Sequence, residues 1–217
     1  MTGRRARAVA LAVSLVCLGS PAGHATTMEK VNIAKLIQRS DLILVDQVVR
    51  VTDGFDKNNL PFTEVTLRVA EAIKGIAAGD YTFRQFGLVA PKETEGGRTY
   101  LGVSPEGWPK FKEGEQTMVF LYPTTSLGFQ STVGLFQGKF QIENDQVFNE
   151  IENAGLFDGL SVDPHLLTKE EQKLVGTVRG RCPSETFRGF VRKAVQESWF
   201  GQAPANPRVK RDLQSED

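Results

Sequence analysis

From Leu42 to Phe148 the chain is written in the two-residue period of β-strands, with no stretch of helical period between them. "LILVDQVVRV" is a β-branched run ended by Asp53-Gly54. "TEVTLRV" alternates Val65, Leu67 and Val69 with Thr66 and Arg68, as a half-buried strand does. The two are expected to pair as antiparallel neighbours. "YTFRQF" sets Tyr81 and Phe83 on one face and Thr82 and Arg84 on the other. "QTMVFLYP", "STVGLFQGKFQIEN" and "QVFNEI" supply the remaining strands, with Gly138 at a bend or bulge and a turn at Asn144-Asp145. About six successive strands predict a mainly β fold, a small antiparallel barrel or sandwich.

The flanks read as helices. In "TTMEKVNIAKLIQRSD", Met28, Val31, Leu36 and Ile37 fall near helical spacing, with Thr27 as an N-cap. After residue 160, Thr168 and Glu171 form a capping box, and Phe187, Phe190, Val191, Ala194, Val195 and Trp199 line one face of a second C-terminal helix. The expected organisation is a β domain over 26–160 with a short N-terminal helix, a helical appendage over 161–203 packed on it, and a disordered tail over 204–217. Arg188, Arg192 and Lys193 beside the stripe would suit an anionic membrane surface. Docking on the β domain buries the same stripe with no partner, and is the expected arrangement.

Residues 1–25 have the form of a signal peptide: Arg4, Arg5 and Arg7, then "AVALAVSLVCLG", then Gly23-His24-Ala25 as the cleavage site. The expected product is an exported protein, periplasmic or extracellular, without a transmembrane span and starting at Thr26. The 26 basic and 26 acidic residues balance, and loss of the leader's arginines leaves a slight acidic excess, which argues against nucleic-acid binding. Cys182 and His165 are then the sole cysteine and histidine. Internal disulfides and multi-histidine zinc sites are excluded on that count, and no cofactor or metal is expected.

"SDLILVDQVVRV", "TLRVAEAIKG" and "FKEGEQTMVFL" together resemble the OB-like barrel of the netrin-like and tissue-inhibitor-of-metalloproteinase family, over about Leu36 to Ile142. The chain also resembles a group of bacterial exported proteins without assigned activity, in the style of its segments at Asp41, Val69 to Gly75, Gly114 to Leu121 and Gln137 to Phe140. The resemblance implies an OB-like β-barrel and a protein partner, a co-secreted metalloprotease being the one the family suggests. The family's defining cysteines are absent here, and Thr26 stands where its zinc-capping amino terminus would be. A shared barrel does not by itself transfer inhibition.

No GxSxG, Walker A loop, HExxH or dinucleotide fingerprint occurs. Tyr100, Trp108 and Phe111, in the Gly- and Pro-rich stretch 87–115, either form an exposed contact surface or fold back over an open barrel end. With Thr26 they are the candidate partner-binding residues. Asp53, Asp56, Asn58 and Asn59 carry calcium-type oxygens without EF-hand spacing, and a solvated hairpin loop is expected there. Cys182 and His165 lie in no nucleophile motif. The functional expectation is a non-enzymatic exported binding module acting on a protein, such as an extracellular or periplasmic protease. The alternative is an exported hydrolase using carboxylates of the 87–115 loop.

Overall fold

The computed structural model describes residues 29–75, 79–93, 96–97, 99–100 and 104–201. The expected leader, Thr26, Thr27 and the tail 204–217 lie outside the described residues. The first helix, α1 (Ile33–Arg39), is capped by Asn32, whose side chain accepts from the Lys35 N–H at 3.0 Å. Two long strands follow, β1 (Leu42–Phe55) and β2 (Pro61–Lys74), then β3 (Gly79–Phe86), the two-residue β4 (Lys92–Glu93) and β5 (Thr99–Tyr100), and β6 (Gln116–Leu121). A 3-10 turn at Leu135–Gly138 leads into β7 (Lys139–Glu143) and β8 (Gln146–Phe148). The C-terminal part holds α2 (Lys169–Val175), β9 (Cys182–Pro183) and α3 (Ser184–Gln196).

The main sheet is antiparallel and seven-stranded, in the order β3-β2-β1-β6-β7-β8-β9, with β4 and β5 forming a separate pair. The β1–β2 pairing is as expected. The strand count and the closed barrel are corrected. After β6 the chain makes a tight turn, with Thr125 N–H donating to Phe129 O at 2.8 Å and Gly128 N–H to Thr125 O at 2.9 Å, rather than extending as a strand. The returning chain makes an isolated bridge to β6, Leu121 to Thr132, and one backbone bond to the β3 edge, from Gln130 N–H to Arg84 O at 2.7 Å. The additional strand, β9, has no period of its own. It pairs with Gln146 and Val147 immediately before α3 seats on the sheet.

The near-continuous apolar run of β1 has a simple cause, burial on both faces. Ile43 and Val45 face a cluster shared with α1 and α3, whereas Leu42, Leu44 and Val48 face a second cluster with Val65, Leu67, Phe83 and Phe111. In the first cluster, rings follow one another from Phe120 to Phe140 (5.5 Å), to Phe187 (5.2 Å), and through Phe157 to Phe190 (6.1 Å). The stripe on α3 therefore docks on the sheet. Its cations are engaged there: Arg188 and Arg192, one helical turn apart, each reach Glu71 of β2 at 2.8 Å, and Lys193 reaches Glu171 at 2.8 Å.

Two short segments quoted in the sequence have local explanations. In "IKG", the Lys74 ammonium donates to Ile37 O at 2.8 Å, near the C-terminal end of α1. Gly75 then turns away with φ +75°, where a Cβ would lie 2.8 Å from Asp41 O. In "QGKF", buried Gln137 accepts from Val31 N–H at 3.0 Å and donates to Glu29 O at 2.9 Å, holding the N-terminal segment as a paired strand would. Gly138 is tighter still, since a Cβ there would lie 2.2 Å from the Val133 carbonyl oxygen. That clash is with backbone, so Gly138→Ala is expected to cost about 3 kcal/mol in urea unfolding. A loss of only a few tenths would show that the Val133 turn yields.

Candidate functional site

Among the described residues, the loop from Gly87 to Glu115 is pinned near both of its ends. Gly87 N–H donates to Pro61 O at 3.1 Å, Ser104 N–H to Leu88 O at 3.0 Å, and Val89 N–H to the Asp53 carboxylate at 2.8 Å. Further on, Phe136 N–H donates to Gly107 O at 3.0 Å, Gln85 Nε2 to Pro109 O at 3.1 Å and Lys139 Nζ to Lys110 O at 2.7 Å. Leu88 and Phe111 are the apolar anchors, 1% and 8% exposed. Between the anchors, Val89 is 62% exposed, and Tyr100 and Trp108 are half-buried.

Of the two readings left open for the aromatic set, Phe111 takes the inward one. Its ring meets Phe83 edge-on at 5.6 Å, with the Lys139 ammonium 4.8 Å from its centroid. Tyr100 leans edge-on against Phe55 at 5.6 Å. Trp108 follows a turn closed by its N–H to Pro105 O, and keeps part of its surface in solvent. Among the described residues no ring pair joins Tyr100, Trp108 and Phe111 to one another. Thr26 lies outside the described residues.

A buried polar cluster lies behind this loop, and the sequence reading did not single it out. Asp46 of β1 is 3% exposed; its Oδ1 accepts from Thr117 Oγ1 at 2.6 Å and its Oδ2 has no partner among the described residues. Lys139 of β7 is 7% exposed and pairs with Glu115 at 2.6 Å. Burial pushes the Asp46 carboxyl up to about 7, against the opposing pull of the Thr117 hydroxyl and the Lys139 charge. Burial lowers Lys139 from the ordinary lysine value, in part offset by Glu115. The available signal was a charged residue inside an apolar run, "LILVDQVV", and another inside "QGKF".

The remaining candidates separate in space. Cys182 is 1% exposed, and its sulfur contacts Asn153 Nδ2 at 3.6 Å and Gly180 O at 3.8 Å; His165 is exposed on the 3-10 turn Pro164–Leu166. Burial pushes the thiol up, so native Cys182 should resist alkylation at neutral pH and react only on unfolding. Rapid modification of the folded protein would contradict this placement. Asp56 builds its own turn, its Oδ1 accepting from Asn58 and Leu60 N–H at 2.8 Å each. Of the loop carboxylates, Glu113 accepts from Val51 N–H at 3.0 Å and Glu115 holds Lys139, while Glu93 and Glu106 are exposed. Among the described residues no three His, Cys, Asp or Glu side chains converge as metal ligands would.

A cleft of about 320 Å³ lies between the β3 edge and the 124–130 turn, lined by Glu64, Tyr81, Thr82, Arg84, Thr124 and Gln130 among others. Within its lining Tyr81 Oη donates to Gln130 Oε1 at 2.8 Å, and Arg84 is held by Glu64 at 2.8 Å and by the face of Phe62. Comparison with protein-family models, curated proteins and solved structures finds no match. Among the described residues no helix is long and apolar enough to cross a membrane.

Proposed function

We propose that this chain is an exported, non-enzymatic binding module whose 87–115 loop contacts a protein partner, a co-secreted metalloprotease being the partner that the netrin-like resemblance suggests. One observation carries the reading. The loop is fixed at both ends by buried anchors and backbone hydrogen bonds, and between them it carries an exposed Val89 and the half-buried Tyr100 and Trp108. Pre-ordering a loop removes much of the entropy cost of binding, and aromatic side chains are the commonest interface anchors.

The test is capture from the native exported fraction with the immobilised protein, alongside a Tyr100→Ala/Trp108→Ala double variant of unchanged melting temperature. The expected result is a protein retained by the parent chain and lost with the variant. Equal retention by both would remove the loop from the contact. Hydrolytic turnover abolished by Glu106→Gln in a folded protein would instead support the hydrolase reading.

A further inference from the structure

We propose that Asp46, Lys139 and Glu115 form a proton-operated latch on the loop that carries Trp108. With Asp46 protonated, Lys139 holds the 110–115 segment in place; loss of the proton draws Lys139 toward Asp46 and frees the segment. The latch rests on the binding reading for its purpose and on the buried cluster for its mechanism.

Among the described residues, the Lys139 ammonium's partners all lie at the end of the loop: Glu115 Oε1 at 2.6 Å, Lys110 O at 2.7 Å, and the face of Phe111. Glu115 in turn accepts from Lys112 N–H at 2.8 Å and from Gln141 Nε2 at 3.2 Å. Lys139 thus joins the sheet to three loop residues. Asp46 faces the same interior, diagonally across β6, since Asp46 pairs with Thr117, Thr117 with Gln141 and Val119 with Lys139. Three groups bear on its charge: Thr117 of β6 and Lys139 of β7 favour the anion, and Glu115 opposes it. Lys112 bears on Lys139. From β2, Val69 stands opposite Asp46, and β3 adds the half-buried Tyr81 to the same cluster.

Two carboxylates and one ammonium, all ionised and removed from water, leave one negative charge without a counter-ion. The neutral acid resolves this, and Asp46, with its partnerless Oδ2, is the carboxyl placed to carry the proton. When Asp46 releases its proton to solvent, it becomes a second claimant on the ammonium. Lysine's flexible four-carbon stem allows the move. Glu115, Lys110 and Phe111 then lose their common partner.

The test follows the isolated, ¹³C- and ¹⁵N-labelled protein by NMR between about pH 5 and about pH 9, with no partner present. We expect a carboxyl resonance, assigned by its loss in Asp46→Asn, to titrate with a midpoint of about 7. The amides of Lys110 to Glu115 and the Trp108 indole should shift with that midpoint, and Asp46→Asn should remove those shifts. If Asp46→Asn does not fold, Thr117→Val serves: loss of the hydroxyl should move the carboxyl and loop midpoints upward together. An Asp46 carboxyl that stays ionised across the range, or one that titrates while the loop signals stay flat, overturns the latch. Since the readout needs no ligand, failure here is distinct from failure of partner capture.

Discussion

Phe187→Ala is expected to remove about 4 kcal/mol from the unfolding free energy, a large share of what holds a domain of this size together. The side chain is fully buried at the junction of α3 with the sheet, its ring 5.2 Å from Phe140 and 6.5 Å from Phe157. Truncation removes transfer free energy and leaves a cavity walled by rings, which cannot collapse as flexible aliphatic side chains can. Val178→Ala is the matched control, because Val178 is 76% exposed and should change stability by no more than about 0.5 kcal/mol. Equilibrium denaturation reads both. A loss below about 1 kcal/mol for Phe187→Ala would mean that the sheet stands without α3.

The second large effect is Asp46→Asn, and its size depends on pH. An acid whose folded-state value is raised to about 7 binds its proton more tightly in the folded chain than in the unfolded one. Its penalty is absent below the unfolded value near 4, grows as pH rises, and is complete above about 7. A shift of that size is worth on the order of 4 kcal/mol at full ionisation. Asp46→Asn should therefore be more stable than the parent at pH 8 by up to that amount, with the advantage fading as pH falls toward 4. Chemical denaturation at a series of pH values gives the difference directly. A difference that does not vary with pH would show that folding leaves the Asp46 carboxyl unshifted.

Much of the architecture was legible because period and burial agree. The strands β1, β2, β3, β6, β7 and β8, the Thr168–Glu171 capping box and the α3 stripe all follow from spacing alone. What was missed depends on contacts distant in sequence. The cap of α1 fell to Asn32 rather than Thr27, and a side chain at either position satisfies the same rule. The strand at Cys182–Pro183 is two residues long and exists by virtue of its neighbours. Phe111 and Trp108 lie three positions apart in one irregular stretch with no period to sort them, yet one is core and the other partly in solvent. The buried cluster was hidden for a related reason: Asp46 and Lys139 look like ordinary charges until the register across β6 sets them on one inner face.

The central claim is that the pinned loop, and not the amino terminus, makes the partner contact. The direct measurement is a binding titration of a captured partner against three proteins: a chain made to begin at Thr26, the same chain with Trp108→Ala, and one made to begin a residue earlier so that Thr26 has no free α-amine. The account predicts that Trp108→Ala weakens binding by about thirtyfold, the equivalent of a 2 kcal/mol hot spot. The extension should leave affinity within about twofold, less than 0.5 kcal/mol. Loss of binding on extension with Trp108→Ala unchanged would contradict the account and place the contact at Thr26.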